Sequence, residues 1–167
     1  MSKIAFDLDG VLVPDYHHIP NLTMPEFYEQ TLYAKPLFSP VGEFDVVTAR
    51  MEEHRDVTER WLNQLTVKPQ NLFMLQDKNE TPAEFKFRTA VEQGYTIYVE
   101  SDPEIVQQMR KLADAAGVDI GVFHFAGFIA SSLKWLSIVA IASRHGFKKS
   151  SQQTKTPAFQ TNSPPQK

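Results

Sequence analysis

The sequence predicts an α/β fold: a doubly wound, three-layer, Rossmann-like parallel sheet with a small cap or lid inserted after the first strand. Short apolar runs alternate with longer amphipathic patterns, which is typical of parallel strands joined by crossover helices. The 167 residues are 42% apolar and contain no cysteine, so they can bury a core and form no disulfide framework. Only seven glycines and no internal repeat exclude collagen-like and solenoid architectures.

Local patterns predict the elements one by one. The predicted strands are Lys3–Leu8, Phe44–Thr48, Asn71–Leu75, Thr96–Val99 and Asp119–Phe123. The predicted helices are Met24–Tyr33, Glu52–Leu65, Pro82–Gln93 and Pro103–Ala116. The last two have the clearest limits, because each begins with proline after an N-cap residue, Thr81 or Asp102, and ends before a glycine, Gly94 or Gly117.

The connection between the first two strands is long and proline-rich. Residues 14–43 contain only one short helical pattern. Ligands of open α/β sheets bind at the C-terminal edge of the strands, so we expect this segment to form a small cap or lid there. Its candidate substrate contacts are Tyr16, His17, His18 and Phe27. The alternative is a segment that packs around a small core of its own.

Two carboxylates, Asp7 and Asp9, follow the first apolar run and precede Gly10. Carboxylates this close repel each other unless a cation or a shared proton lies between them. Hard oxygen ligands suit Mg²⁺, which usually also binds water and substrate phosphate. The alternative is that the Asp-Gly pair is only a turn.

The segment from Asp7 to Val13, DLDGVLV, resembles the first motif of the haloacid dehalogenase superfamily of phosphatases. The resemblance covers roughly residues 1–117 and implies that Asp7 is the nucleophile, which forms an aspartyl-phosphate, and that Asp9 is the general acid and base. It also implies a phosphate-binding hydroxyl after the second strand, where Thr48 lies. A lysine before the fourth strand, Lys86, would hold the phosphoryl group.

Further site residues come from the same resemblance. Ala49 and Arg50 would bind substrate together with Thr48 and Lys86. The Mg²⁺ ligands would be Asp7, Asp9, Glu100 and Asp102. Three alternatives stay open: Ser101 separates Glu100 from Asp102, so either acid can be the metal ligand; Lys78 competes with Lys86 as the lysine of the third motif; and Arg50 either binds phosphate or pairs with a nearby acid, Glu52, Glu53 or Asp56.

The resemblance implies a Mg²⁺-dependent phosphomonoester hydrolase. The N-terminal residues MSKIAFDLDG do not form a secretory signal, which predicts a cytoplasmic location. The substrate of the hydrolase would be a phosphorylated small molecule or a nucleotide, including the phosphorylated end of a nucleic acid. One alternative is a catalytically idle protein of the same fold that binds phosphate or nucleic acid. Another is a phosphotransferase that uses the same aspartate with an acceptor other than water.

The C-terminal part differs from the rest in charge. All 20 acidic residues lie at or before Asp119, whereas six of the 17 lysines and arginines follow it. The hydrolase domain is predicted over residues 1–147. It ends in an apolar helix over 127–146 that packs on the sheet or on a second copy of the chain, since Lys134 near its middle opposes a membrane span. Residues 148–167 are predicted to be a disordered basic tail that can contact nucleic acid.

Overall fold

Parallel strands form the sheet in the computed structural model, which describes residues 3–17 and 19–130. In chain order the strands are β1 (Ile4–Phe6), β2 (Asp45–Met51), β3 (Leu72–Leu75), β4 (Ile97–Glu100) and β5 (Gly121–His124). Their order across the sheet is β3-β2-β1-β4-β5, so the chain moves outward from β1 first in one direction and then in the other. The predicted α/β class with an all-parallel, Rossmann-like sheet is confirmed.

Helices connect these strands. They are α1 (Met24–Leu32), α2 (Arg55–Leu62), α3 (Pro82–Gln93) and α4 (Pro103–Ala116). The predicted limits of α3 and α4 are confirmed, because local capping determines them: the Thr81 hydroxyl accepts a hydrogen bond from the backbone N–H of Glu84, and the Asp102 carboxylate accepts one from the N–H of Glu104.

Other predicted limits are wrong by a few residues. The first strand ends at Phe6 rather than Leu8, because the Leu8 carbonyl accepts hydrogen bonds from the N–H groups of Leu12 and Val13 and the chain turns there. The second strand continues beyond Thr48 and ends at Met51. The predicted helix Glu52–Leu65 begins as a 3-10 turn over Glu52–His54, continues as α2, and ends at Leu62 rather than Leu65.

The core lies on both faces of the sheet, because successive strand residues point to opposite sides. One face carries Ala5, Val47 and Tyr98, which pack with buried residues of α3 and α4. The opposite face carries larger aliphatic and aromatic side chains that pack with α2: Phe6, Val46 and Val99. Helices therefore pack on both faces of the sheet.

The chain is helical again over residues 125–130, where Phe125 and Phe128 pack against the ring of Phe38. The rest of the predicted apolar helix 127–146 and all of the predicted basic tail 148–167 lie outside the described residues. Their proposed contacts, with a second copy or with nucleic acid, stay predictions. Over residues 3–17 and 19–130 we find no helix with the length and apolar character that crossing a membrane requires.

Candidate active site

A cleft of about 350 Å³ lies at the C-terminal ends of β1, β2 and β4, the three central strands of the sheet. All eight residues that the sequence predicts for the site line this cleft: Asp7, Asp9, Thr48, Ala49, Arg50, Lys86, Glu100 and Asp102. Open α/β sheets bind ligands at this edge. Segments that are far apart in the chain therefore converge on one cavity.

The strand ends explain this convergence. Asp7 directly follows β1, Thr48 and Arg50 lie in the second half of β2, and Glu100 is the last residue of β4. The backbone N–H of Asp7 still donates a hydrogen bond, of 2.8 Å, to the carbonyl of Val99 in β4. Asp7 therefore stays aligned with β4, although β1 ends one residue earlier, at Phe6.

Lys86 reaches the cleft from α3. It lies on the buried face of the helix together with Ala83 and Ala90, at helical spacing, and is only 2% exposed. Its Nζ lies 3.1 Å from Asp7 Oδ1 and 2.6 Å from Glu100 Oε2. Lys78, the alternative lysine, has a side chain that is 73% exposed, with its Nζ 3.8 Å from a carboxylate oxygen of Glu53. The geometry favours Lys86 as the lysine of the site.

Two buried carboxylates therefore share one ammonium group. Burial raises the pKa of Asp7 well above its usual range; the charge of Glu100 raises this pKa further, and that of Lys86 lowers it. Burial opposes the charge on Lys86, but the two carboxylates outweigh it and raise the pKa of the lysine. The centre of the cleft therefore has two acidic groups beside one basic group.

Glu100 and Asp102 differ in their surroundings. Glu100 is 1% exposed, and its Oε1 accepts hydrogen bonds from the N–H groups of Ser101 and Asp102, at 2.9 and 3.1 Å. With Oε2 bonded to Lys86, both oxygens of Glu100 have protein partners. Asp102 is exposed, and its Oδ1 caps α4. Asp102 is therefore the less buried of the two acids.

Asp9 forms a second charged pair, with Arg50. The guanidinium donates from Nε to Asp9 Oδ2 at 2.8 Å and from Nη2 to Asp9 Oδ1 at 2.6 Å. The side chain of Arg50 is 2% exposed. Its partner is thus the carboxylate of the first motif, whereas the nearby acid Glu52 pairs with Arg55. The sequence-based alternative of an ion pair holds, with a partner that it did not name.

The Thr48 hydroxyl lies at the base of the cleft. It is 1% exposed and accepts a hydrogen bond of 3.2 Å from the backbone N–H of Arg50. A hydroxyl that accepts one bond still has a proton to donate. Thr48 can therefore donate to an anionic oxygen that enters the cleft.

The Asp-Gly pair also makes a turn, as the structural alternative predicts. Gly10 has a φ of 76°, a left-handed conformation that side chains disfavour, and a Cβ at this position would clash with Ser101 Oγ. The Ser101 hydroxyl donates a hydrogen bond of 2.8 Å to the Asp9 carbonyl. The turn is what presents Asp9 to the cleft, so the two interpretations are compatible.

Several cleft residues were missed at the sequence level. These residues come from the segment after β1, the end of β2, the position after β4 and the first turn of α4: Asp15, Met24, Tyr28, Met51, Ser101 and Ile105. Met24 and Tyr28 are four residues apart on α1, a spacing that places both on one face and was the available signal. Of the predicted substrate contacts, His17 lines the cleft, Tyr16 does not, and Phe27 is buried beneath Arg50. His18 lies outside the described residues.

The oxygen donors of the cleft are of the type that Mg²⁺ takes. This ion usually binds one or two carboxylates and keeps several waters. Both oxygens of Glu100 and both oxygens of Asp9 already accept hydrogen bonds from the protein. Asp7 contacts Lys86 through Oδ1 and Asp102 caps α4 through Oδ1, so these two acids suit that requirement better. Over residues 3–17 and 19–130 there is no group of three acidic or histidine side chains that could hold a metal. The donor set fits an ion held partly by water and substrate.

Comparison of the chain with models of known protein families finds no match, and neither does a search of curated proteins. The residues and geometry of the cleft are therefore what indicates a function.

Proposed function

We propose that this chain is a Mg²⁺-dependent phosphomonoester hydrolase of the haloacid dehalogenase superfamily that acts through an aspartyl-phosphate on Asp7. The observation that carries the proposal is the 3.1 Å contact between Lys86 Nζ and Asp7 Oδ1 at the C-terminal edge of the sheet. Thr48 and Glu100 line the same cleft, in the chain order of the superfamily's motifs. A fixed ammonium group beside the nucleophile lowers the repulsion between a carboxylate and a phosphate.

In the first half of the reaction, a carboxylate oxygen of Asp7 bonds to phosphorus while the bond from phosphorus to the leaving oxygen breaks. The electron pair of that bond stays on the leaving oxygen, which takes a proton from the carboxyl group of Asp9. The Thr48 hydroxyl and the backbone N–H of Ala49 would bind the phosphoryl oxygens. Lys86 would balance their negative charge.

In the second half, a water molecule attacks phosphorus and gives a proton to the Asp9 carboxylate. The bond between phosphorus and Asp7 breaks, the electron pair returns to the carboxylate, and inorganic phosphate leaves. Asp9 thereby regains the proton that it donated in the first half.

Mg²⁺ belongs to the same proposal. Asp7 and Asp102 would hold the ion, which would neutralise charge on the phosphoryl group when bound. Glu100 would then hold Lys86 in place rather than bind the ion. This role matches the 1% exposure of Glu100 and the hydrogen bonds that both of its oxygens make.

We propose residues 14–43 as the small cap. The observation that supports this is the position of Met24 and Tyr28, which line the cleft from α1. Burial raises the pKa of Tyr28 to about 12, so its hydroxyl stays protonated at neutral pH. A neutral wall of this kind would face the organic part of the substrate.

The charges in the cleft bear on the class of substrate. Five acids line it against two strong cations: Asp7, Asp9, Asp15, Glu100, Asp102, and opposite them Lys86 and Arg50. Such a surplus of negative charge opposes a polyanion. Between the predicted substrates, we therefore favour a small molecule or nucleotide with one phosphate over the end of a nucleic acid.

A phosphate-binding protein without turnover is the second candidate. The observation that favours it is that Asp7 and Asp9 are each paired with a protein cation, Lys86 and Arg50. A phosphotransferase would differ from the hydrolase only in the acceptor that replaces water.

The testing experiment measures phosphate release in Mg²⁺ from p-nitrophenyl phosphate, nucleoside monophosphates and sugar phosphates. We expect release by the full chain and a loss of about 10³-fold or more in Asp7→Asn. Asp45→Asn, a buried aspartate at the opposite edge of the sheet, is the matched control and should retain turnover. No release from any of these compounds by folded protein that binds inorganic phosphate would favour the second candidate.

A further inference from the structure

The guanidinium group of Arg50 has protein partners on several sides, so few of its donors are available to bind a substrate. Two of its nitrogens bond both oxygens of Asp9, and Nη1 lies 3.4 Å from the Thr58 hydroxyl. Its side chain is 2% exposed. A parallel two-bond pair with a carboxylate fixes the plane of both groups. An arginine that binds substrate phosphate would instead present this pair of donors to the cleft.

The other side of the guanidinium lies against helix α1. Arg50 Cζ is 5.3 Å from the ring centre of Phe27 and 5.0 Å from that of Tyr28. These are distances at which an aromatic face attracts a cation. Arg50 therefore joins four elements: its own strand β2, the helix α1, the helix α2 through Thr58, and the turn that carries Asp9.

Asp9 itself has separate supports for its backbone and its side chain. The Ser101 hydroxyl bonds its carbonyl, whereas Arg50 alone among the described residues is hydrogen-bonded to its carboxylate. The direction of the Asp9 carboxylate is therefore set by Arg50.

We propose that Arg50 is a positioning residue. It orients the Asp9 carboxylate toward the leaving group and toward water, and it links this orientation to α1. It is not a ligand of the substrate phosphate. The inference rests on the proposed function, since it assigns Arg50 a role through the acid and base of that reaction. A residue that acts only through Asp9 has no effect once Asp9 cannot act.

The experiment is a double-mutant cycle of Arg50→Lys and Asp9→Asn, with kcat and KM measured for p-nitrophenyl phosphate in Mg²⁺. Because p-nitrophenolate leaves without a proton, Asp9→Asn keeps its first half-reaction, and its residual kcat reports the slow second half without the base. Arg50→Lys keeps the charge but loses the forked pair. We expect it to lower kcat by about 10-fold or more with KM nearly unchanged. In the Asp9→Asn background we expect the same change to alter kcat by less than about twofold.

Two controls complete the design. Arg88→Lys alters a matched forked pair, with Glu80, outside the cleft and should leave kcat and KM unchanged. Phe27→Leu removes one ring beneath Arg50, at a residue that is 2% exposed, and should lower kcat severalfold without raising KM. It tests the proposal even if Arg50→Lys does not fold.

A rise in KM in both backgrounds, or an equal fall in kcat in both, would overturn the proposal, because Arg50 would then act on the substrate directly. An unchanged kcat in Arg50→Lys would overturn it too. Failure of the proposed function looks different: the unmodified chain would release no p-nitrophenol above the level of Asp7→Asn, and the role of Arg50 would fall with it.

Discussion

Asp45 and Asp7 are buried carboxylates at opposite ends of neighbouring strands, and their partners differ in kind. Asp45, the first residue of β2, accepts hydrogen bonds of 2.9 Å from the backbone and side-chain nitrogens of Asn71 and one of 2.7 Å from the hydroxyl of Tyr95. Lys3 Nζ lies 3.7 Å away, at the surface. Neutral donors therefore satisfy most of the bonding capacity of Asp45.

Asp7 lies at the other edge and depends on charge. Its partner Lys86 is buried and shared with Glu100, so one ammonium group serves two carboxylates. Asp7 is also one of the few charged groups that are both largely buried and part of the cleft lining. A closed set of neutral hydrogen bonds holds a fold together, whereas a surplus of charge beside a cavity can respond to a ligand.

The largest effect should follow from removing the shared cation. Lys86→Met leaves Asp7 and Glu100 buried without their partner, and breaking a buried ion pair in this way costs about 3–5 kcal/mol. We expect this loss in the free energy of unfolding, measured with urea, together with loss of phosphate release.

Lys78→Met is the control for that change, because the Lys78 side chain is 73% exposed. Surface substitutions of this kind change stability by about 0.5 kcal/mol or less. If both variants lost the same amount of stability, the special role assigned to Lys86 would be wrong.

A smaller effect, on stability alone, is expected at the opposite edge. Asp45→Asn keeps the shape of the side chain but turns an amide donor toward Asn71, Tyr95 or Lys3, which are donors themselves. We expect a loss of about 1–3 kcal/mol in urea unfolding, with kcat within about twofold of the original. A large fall in kcat in protein that is still folded would contradict the division between a structural and a functional edge.

The smallest effect concerns pH. Burial raises the pKa of Asp7 above its ordinary value of 3.8, so the folded chain keeps this proton to a higher pH than the unfolded chain does. The contribution of Asp7 to stability therefore falls as pH rises above about 4. Asn has no such proton. With metal removed by a chelator, the gain in Tm from Asp7→Asn should be larger near pH 7 than near pH 4; a gain that does not vary with pH would contradict the raised pKa.

Local signals explain which parts of the fold the sequence predicts well. The limits of α3 and α4 are predicted correctly because caps such as Thr81 and Asp102 lie within one helical turn of the groups they bond. The end of β1 is predicted two residues late, because Leu8 is as apolar as a strand residue. It turns only through hydrogen bonds from residues that follow it.

The same distinction applies to the site. The eight predicted cleft residues lie at or near the ends of apolar runs or on a helix with clear capping signals, so local patterns were enough to find them in the sequence. Their pairing could not be found in this way, because the contact between Arg50 and Asp9 joins positions 41 residues apart, while Glu52 and Glu53 are closer in the chain. The spacing of Met24 and Tyr28 placed both on one face of α1, but the sequence did not show that this face meets the cleft.

The most direct test of the central claim is a search for the covalent intermediate. The Asp9→Asn variant, which lacks the base for the second half-reaction, is mixed with p-nitrophenyl phosphate and Mg²⁺, quenched in acid, digested and analysed by mass spectrometry. The account predicts a phosphoryl group on Asp7, and none in a variant that also carries Asp7→Asn. Release of inorganic phosphate by the unmodified chain with the phosphoryl group on another residue, or on none, would contradict it.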